Sequence, residues 1–364
     1  MTTPDQSAML LPVTHEALLS AFLSTSLLRK VRIIAADRVS TGSRNSLLRL
    51  ALDGLQDDGL STLIVKHVTR ETDPFFAHHL RREERLLDLL HRFAPGLAPR
   101  CVGLLLDPTE HGWLLMEDVG RRSLADELIS TDPDTGVMLM QDATARLRLL
   151  HDILREHHGP FYRTCYAVDL DRLTSVSLRS RLRVAWKRLS IHPGAPSEPP
   201  HSLTQAWIDI LRPLLGQPRQ LIHNSLSPLN IVLRDDGGTA LVDFETMTLG
   251  APEFDTAELL RQPFRPLTWD DTLRLASAHG LRDASHVGDR LHLASLSRAL
   301  DYAGSNARQL ARQSERGALP ETKKQTQARL HWYCAEVSTL IDTWPALAPL
   351  QALIEQARVD TVEL

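Results

Sequence analysis

Apolar positions recur at helical spacing through T-H-E-A-L-L-S-A-F-L-S-T-S-L-L-R-K, which predicts a leading amphipathic helix over 14–30. The pattern then changes to strand-like runs. V-R-I-I-A-A-D-R-V-S reaches Thr41-Gly42-Ser43, S-L-L-R-L-A-L follows, and the acidic, glycine-bearing stretch from Asp53 to Gly59 reads as a turn into S-T-L-I-V-K-H-V. These runs predict an antiparallel meander with Lys66 near the end of its third strand. From about Pro74 to Phe93 the spacing is helical again, and Pro95, Gly96 and Pro99 stop it. C-V-G-L-L-L-D and W-L-L-M-E-D-V read as a closing strand pair. Strands, one helix and two more strands make a small α+β lobe.

Beyond it, helical spacing dominates. Leu124 to His157 includes T-A-R-L-R-L-L-H-D-I-L, an amphipathic helix, and the proline-rich stretch from His192 to His201 predicts a surface loop. R-Q-L-I-H and A-L-V-D-F are short apolar strands that bracket a polar segment from Asn224 to Thr239. From Phe254 the pattern is helical almost to the end. No internal repeat or low-complexity tract interrupts it. The expected architecture is a β-rich small lobe, residues 1–118, followed by a helical large lobe, residues 119–364.

Composition narrows the function classes. The 364 residues are 43% hydrophobic and 24% charged, ordinary for a soluble globular chain. A net charge of -4 gives no global electrostatic case for nucleic acid or an anionic membrane. No apolar run approaches the ~20 residues that span a bilayer. The N-terminus lacks the basic start and apolar core of a signal peptide. Cys101, Cys165 and Cys334 lie far apart, which disfavours a disulfide framework or zinc site and fits a reducing cytoplasm.

The strongest chemical signal is H-N-S-L-S-P-L-N-I-V-L over 223–233, followed closely by L-V-D-F-E over 241–245. An asparagine ending a loop and an aspartate ending the next strand can converge on one magnesium ion, which favours hard oxygen donors and bridges nucleotide phosphates. Asn230 and Asp243 are the candidate ligands. The bland reading, that both merely cap turns, suits the same residue types. The two motifs in order at this spacing resemble the catalytic loop (223–230) and metal motif (243–245) of the aminoglycoside-phosphotransferase and choline-kinase-like families, whose pattern is H-[GN]-D-x-x-x-x-N and then D-[FWY]-[EG].

That resemblance implies a bilobal, protein-kinase-like α+β fold with a small antiparallel-sheet N-lobe and a mostly helical C-lobe. It also implies ATP (or GTP) and Mg2+ as cofactors. By it, Lys66 in L-I-V-K contacts the nucleotide phosphates, and Glu83 orients it, with Glu84 as the register alternative. Gly42 and Ser43 lie in the nucleotide-covering turn, and backbone groups around Glu117, Asp118 and Val119 form the hinge for an adenine edge. His151 matches a histidine that closes the first large-lobe helix. His223 braces the catalytic loop, as does Asp255 in L-G-A-P-E-F-D-T-A-E-L.

One position departs from the pattern. Ser225 stands where the family carries the aspartate that accepts or orients the acceptor-hydroxyl proton, and a serine cannot act as a carboxylate base near neutrality. Loss of general-base assistance costs about 10²–10⁴-fold and leaves positioning and metal to support transfer. Three accounts stay open: a pseudokinase-like module that binds nucleotide, peptide or a partner enzyme, a kinase drawing its base from elsewhere, or an aspartate deliberately removed. No G-x-S-x-G elbow surrounds Ser225, so a serine-hydrolase role is disfavoured. His78-His79 and His157-His158 lack the spacing of a zinc motif.

Residues 261–330 carry twelve Arg and Lys against seven Asp and Glu. A polycationic acceptor would call for the opposite balance. A neutral or acidic hydroxyl acceptor, a small molecule or a peptide Ser/Thr, is therefore expected. By analogy with the family this extends to natural-product and modified-peptide biosynthesis.

Overall fold

The computed structural model describes residues 19–20, 22–23, 31–41, 45–53, 61–107, 110–166, 174–190, 196–215, 219–278, 284–315 and 319–360. In chain order the elements begin with strands β1 (Arg32–Thr41), β2 (Asn45–Asp53) and β3 (Thr62–Thr69), helix α1 (Phe76–Phe93), then β4 (Cys101–Asp107), β5 (His111–Glu117) and β6 (Arg122–Ser123). Helices α2 (Leu124–Ser130), α3 (Pro133–Glu156), α4 (His158–Tyr166), α5 (Ser175–Leu189) and α6 (His201–Leu215) follow. Four short strands come next: β7 (Gln220–Ile222), β8 (Ile231–Leu233), β9 (Thr239–Leu241) and β10 (Thr248–Gly250). The chain then runs through α7 (Glu253–Leu260), α8 (Trp269–Ala278), α9 (Ala284–Glu315), α10 (Pro320–Ile341) and α11 (Ala348–Asp360). The fold is α+β.

Two compact units emerge. The first comprises 1–123, 159–169 and 230–246, the second 124–158, 170–229 and 247–364. In the first, five antiparallel strands pair in the order β1-β2-β3-β5-β4, so β3 is central. Leu48, Leu50, Leu52, Leu63, Val65, Trp113 and Leu115 fill the core on one sheet face, joined by Leu19 and Leu23. Residues 19, 20, 22 and 23 are helical, and the rest of the leading helix over 14–30 lies outside the described residues. So does most of the Asp53 to Gly59 turn.

A second small sheet, β6-β8-β9, completes this unit. Its β8 strand falls inside the segment read from sequence as polar: a three-residue strand between a motif asparagine and Arg234-Asp-Asp-Gly-Gly is too short for alternation to declare itself. Gly120 is required just before β6, because a Cβ there would lie 2.0 Å from the Leu233 carbonyl oxygen.

The second unit is helical. The stretch from Leu124 to His157 holds two helices, α2 and α3, parted at Thr131-Asp132, and the segment T-A-R-L-R-L-L-H-D-I-L lies in α3. Asp132 caps α3 by accepting from the Asp134 and Thr135 amides at 3.0 Å, and Pro133 takes the first helical position, where its missing N–H costs nothing. The two-stranded β7–β10 ribbon is antiparallel. Arg261 forms a two-pronged pair with Glu336, 2.7 Å on each arm, and lies over the Trp269 ring at 4.5 Å. The three cysteines are free. Burial pushes the Cys165 thiol up to about 11, and Cys101 and Cys334 to about 12.

Candidate active site

Lys66 sits on the central strand, between Leu47 of β2 and Leu114 of β5, and is only 2% exposed. A buried ammonium must be paired. Its Nζ donates to Glu83 Oε2 at 2.8 Å and Asp243 Oδ1 at 3.0 Å, and lies 2.7 Å from Glu245 Oε2. Burial alone would lower the Lys66 pKa, but the Glu83, Asp243 and Glu245 charges outweigh it and hold the pKa well above the usual lysine value. Three carboxylates on one ammonium also leave negative charge in excess. The burden falls on Glu83, whose pKa is raised by burial and by Asp243 and Glu245 against the pull of Lys66.

The helix spacing explains why Glu83 is the partner. The buried stripe of α1 runs Phe76, Leu80, Glu83, Leu87 and Leu90, so Glu83 occupies a core position by periodicity while Glu84 does not. Glu84 is half-buried, and burial followed by the nearby Asp88 raises its pKa. Next to Glu83, Arg82 is 7% exposed and donates to the Glu245 carbonyl at 2.8 Å, fixing the backbone after Asp243. Asp243 itself has φ 67, a left-handed conformation rare outside glycine and tolerated best by Asp and Asn. Its carboxylate is one-third exposed. Asn230 ends a 3-10 turn, and its carbonyl accepts from the Val242 amide at 2.9 Å, tying the two candidate metal residues through adjacent chain.

The Glu117 and Asp118 side chains are committed to arginines. Glu117 pairs with Arg234 at 3.1 Å and accepts from the Arg100 amide at 3.0 Å. Asp118 takes both prongs of Arg49, at 2.6 and 3.0 Å, and Arg49 reaches on to the Gly120 carbonyl at 2.7 Å. Burial opposes ionisation of Asp118, but hydrogen bonds from Arg49 and Thr62 prevail and keep its pKa low. Val119 is buried. Gly42 and Ser43 lie outside the described residues.

In the second unit, β7 delivers the chain into His223, Asn224 and Ser225, and β10 delivers it into α7. Asp255, in the first turn of α7, is fully buried and accepts from the His223 amide (2.8 Å), the Asn224 amide (2.8 Å) and His151 Nε2 (2.9 Å). Burial would raise its pKa, yet the His151 hydrogen bond and the His151 and His223 charges hold it below the usual carboxylate range. Asn224 is left-handed, with φ 65. Ser225 follows, half-buried. Sequence reasoning placed His223, Ser225 and Asp255 here, but not Arg298 of α9, which donates to Asn224 Oδ1 at 2.7 Å. It likewise left out Glu245. Glu245 lay in the motif, while Arg298 had no local signal.

The fold is that of the kinase-like phosphotransferases. The sequence model described as "Phosphotransferase enzyme family" matches residues 54–289, and the chain belongs to that family. No curated protein sequence matches it significantly. Among solved structures, the GDP complex of a point mutant of aminoglycoside 2'-phosphotransferase-IIIa is similar, with TM-score 0.59, 15% identity, 92% of this chain covered and 99% of that one. The streptomycin–ATP–APH(2")-IIa ternary complex gives TM-score 0.56 at 13% identity, over 81% and 92% of the two chains. The choline kinase LicA from Streptococcus pneumoniae gives 0.55 at 16% identity, over 90% and 99%.

Proposed function

We propose that this chain is a nucleotide- and magnesium-dependent phosphotransferase acting on a hydroxyl of a small molecule or peptide, with transfer weakened at Ser225. The observation that carries the reading is the Lys66 cluster. A lysine at 2% exposure, held by Glu83 from the helix and by Asp243 and Glu245 from the D-F-E segment, has no purpose in a sheet core that apolar packing would serve as well. It suits a site whose ammonium is to meet phosphate oxygens. The GDP- and ATP-bound states of the similar proteins support a nucleotide there.

The donor set fits magnesium. Among the described residues no three His, Cys, Asp or Glu side chains form a metal cage. Magnesium, however, usually takes one or two carboxylates plus substrate phosphates and water. Asp243 and Asn230 would hold it, and when bound it would neutralise phosphate charge. Lys66 would bind phosphate, Glu83 would fix its direction, and the backbone from Glu117 to Val119 would meet the base, since the acidic side chains there are already paired with Arg49 and Arg234. Asp255 holds the loop by two backbone amides. Ser225 can orient an acceptor hydroxyl by hydrogen bonding but cannot take its proton near neutrality.

The acceptor we favour is neutral or acidic. Of the cations in 261–330, Arg261, Arg290 and Arg298 are already matched by Glu336, Glu253 and Glu258. The charge argument therefore rests on exposed residues such as Arg308, Arg312 and Lys324. The reading is tested by calorimetric titration of MgATP and MgGTP into the chain and into Ser225→Asp, with phosphate release and transfer followed in parallel. Binding to both, with turnover rising on the order of 10²-fold in Ser225→Asp, is expected. Absence of nucleotide binding in either protein would refute it.

A further inference from the structure

Asn224 precedes the base position and holds φ 65. Glycine would adopt that conformation without strain, so an asparagine here costs something unless its side chain is used. It is used: its Oδ1 accepts from Arg298 Nη2 at 2.7 Å, and the same nitrogen lies 3.4 Å from its carbonyl oxygen. We propose that Arg298 is a positioning residue for phosphoryl transfer, clamping Asn224 so that Ser225 is presented to the acceptor in one fixed orientation. The proposal rests on the phosphotransferase reading above for its catalytic consequence, but not for its structural one.

Arg298 is built to be rigid. It is 6% exposed, lies over the Phe254 ring at 5.2 Å, and brings Nε to 3.4 Å from Glu258 Oε2. Glu258 is itself fixed by the Tyr302 hydroxyl, and Tyr302 stacks on Tyr333 at 5.1 Å. Burial works against the charged form of Arg298, yet the Glu258, Asp301 and Asp255 charges keep it protonated. Phe254 and Glu258 belong to α7, which also supplies Asp255. One short helix thus sets both grips on the loop, Asp255 on the two amides directly and Arg298 on the Asn224 side chain and carbonyl. Where no carboxylate stands at position 225, orientation is most of what the loop can contribute, and misplacing a reacting group by about 1 Å can cost about 10²-fold.

The test is a coupling experiment. Asn224→Gly removes the acceptor, accepts φ 65 without strain and leaves Arg298 against Glu258. Arg298→Lys keeps the charge opposite Glu258 and loses the planar fork. Amide hydrogen exchange over 223–226 is measured in each single variant, in the double variant and in the parent, with thermal unfolding alongside. Each single change is expected to speed exchange over 223–226 roughly tenfold or more while distant core amides keep their protection. The double variant should resemble Asn224→Gly alone. In a Ser225→Asp background, Arg298→Lys should lower kcat about tenfold with KM for MgATP within about twofold, a split that general loss of stability does not produce. Unchanged exchange in both single variants, or an Arg298→Lys effect as large without Asn224 as with it, would overturn the proposal. Should Arg298→Lys not fold, Asn224→Gly alone decides. A coupled exchange response without any MgATP binding would support the clamp and sink the phosphotransferase reading instead.

Discussion

Replacing Lys66 by methionine separates what the buried cluster does for the fold from what it does for a ligand. The side chain of Lys66 is 2% exposed and so is that of Glu83, 2.8 Å away, whereas Asp243 and Glu245 are 33% and 21% exposed. Solvent screens the latter two more than Glu83, so their pairs add less to stability. Glu83 does not have that relief. Deprived of Lys66, it becomes an uncompensated buried carboxylate or must take up a proton, and breaking such a pair costs about 3–5 kcal/mol. Methionine fills similar volume, which keeps a cavity term small. Lys66→Met should therefore lower the urea unfolding free energy of the first unit by about 3–5 kcal/mol at pH 7.

The double variant Lys66→Met/Glu83→Gln removes both buried charges and should recover at least about half of that loss. Nucleotide binding should not recover. If Lys66 is the phosphate-binding cation, MgATP affinity falls at least about tenfold in both variants, because charge-assisted hydrogen bonds are worth about 1.5–3 kcal/mol. Folding raises the Lys66 pKa above its ordinary 10.5. Its contribution is thus fully present below that pH and disappears only as pH climbs through the higher folded value. Parent protein should lose stability relative to the double variant only in strong alkali. A loss under about 1 kcal/mol in Lys66→Met, or no recovery in the double variant, would refute the account of a buried pair dominated by Glu83.

Other changes follow from the same geometry. Asp255→Asn should destabilise by about 2–4 kcal/mol at pH 7, since a fully buried carboxylate with three donors becomes an amide that repels one of them. Because the folded pKa of Asp255 lies below the ordinary 3.8, its contribution is present above that pH and fades as pH falls through the folded value. The gap between parent and Asp255→Asn in denaturant titrations should accordingly narrow from pH 5 to pH 3. Asp243→Asn should weaken MgATP binding at least about tenfold while leaving binding of metal-free ATP within about threefold, as titration with and without magnesium would reveal. Gly120→Ala should lower the thermal midpoint measurably, at a cost of about 2 kcal/mol or more, because a Cβ lands 2.0 Å from the Leu233 carbonyl and backbone must move.

How much of this was legible beforehand depended on the range of the interactions. The meander β1 to β3, helix α1 and the pair β4–β5 each carry a periodic pattern long enough to read, and they were found in place. The break between α2 and α3 is written in Asp132-Pro133, a cap followed by a first-turn proline. Strand β8 was too short to show a period. The Lys66–Glu83 partnership was legible only through the resemblance of the motifs around it, and the buried stripe of α1 supplies its physical reason.

Arg298 marks where such reading stops. It lies 74 residues from Asn224, on a helix with other arginines that look alike in sequence. Nothing local distinguishes Arg298 from Arg308 or Arg312. The difference is made by α7, whose Phe254 and Glu258 receive it, and by Tyr302 one turn onward, whose hydroxyl fixes Glu258. Asparagine fits the motif at 224 as well as glycine does, and its presence becomes meaningful once an arginine is seen to bind its side-chain oxygen. A residue that tolerates strain for the sake of one hydrogen bond marks where the fold commits to a geometry. Here that commitment falls at Asn224, one residue before Ser225.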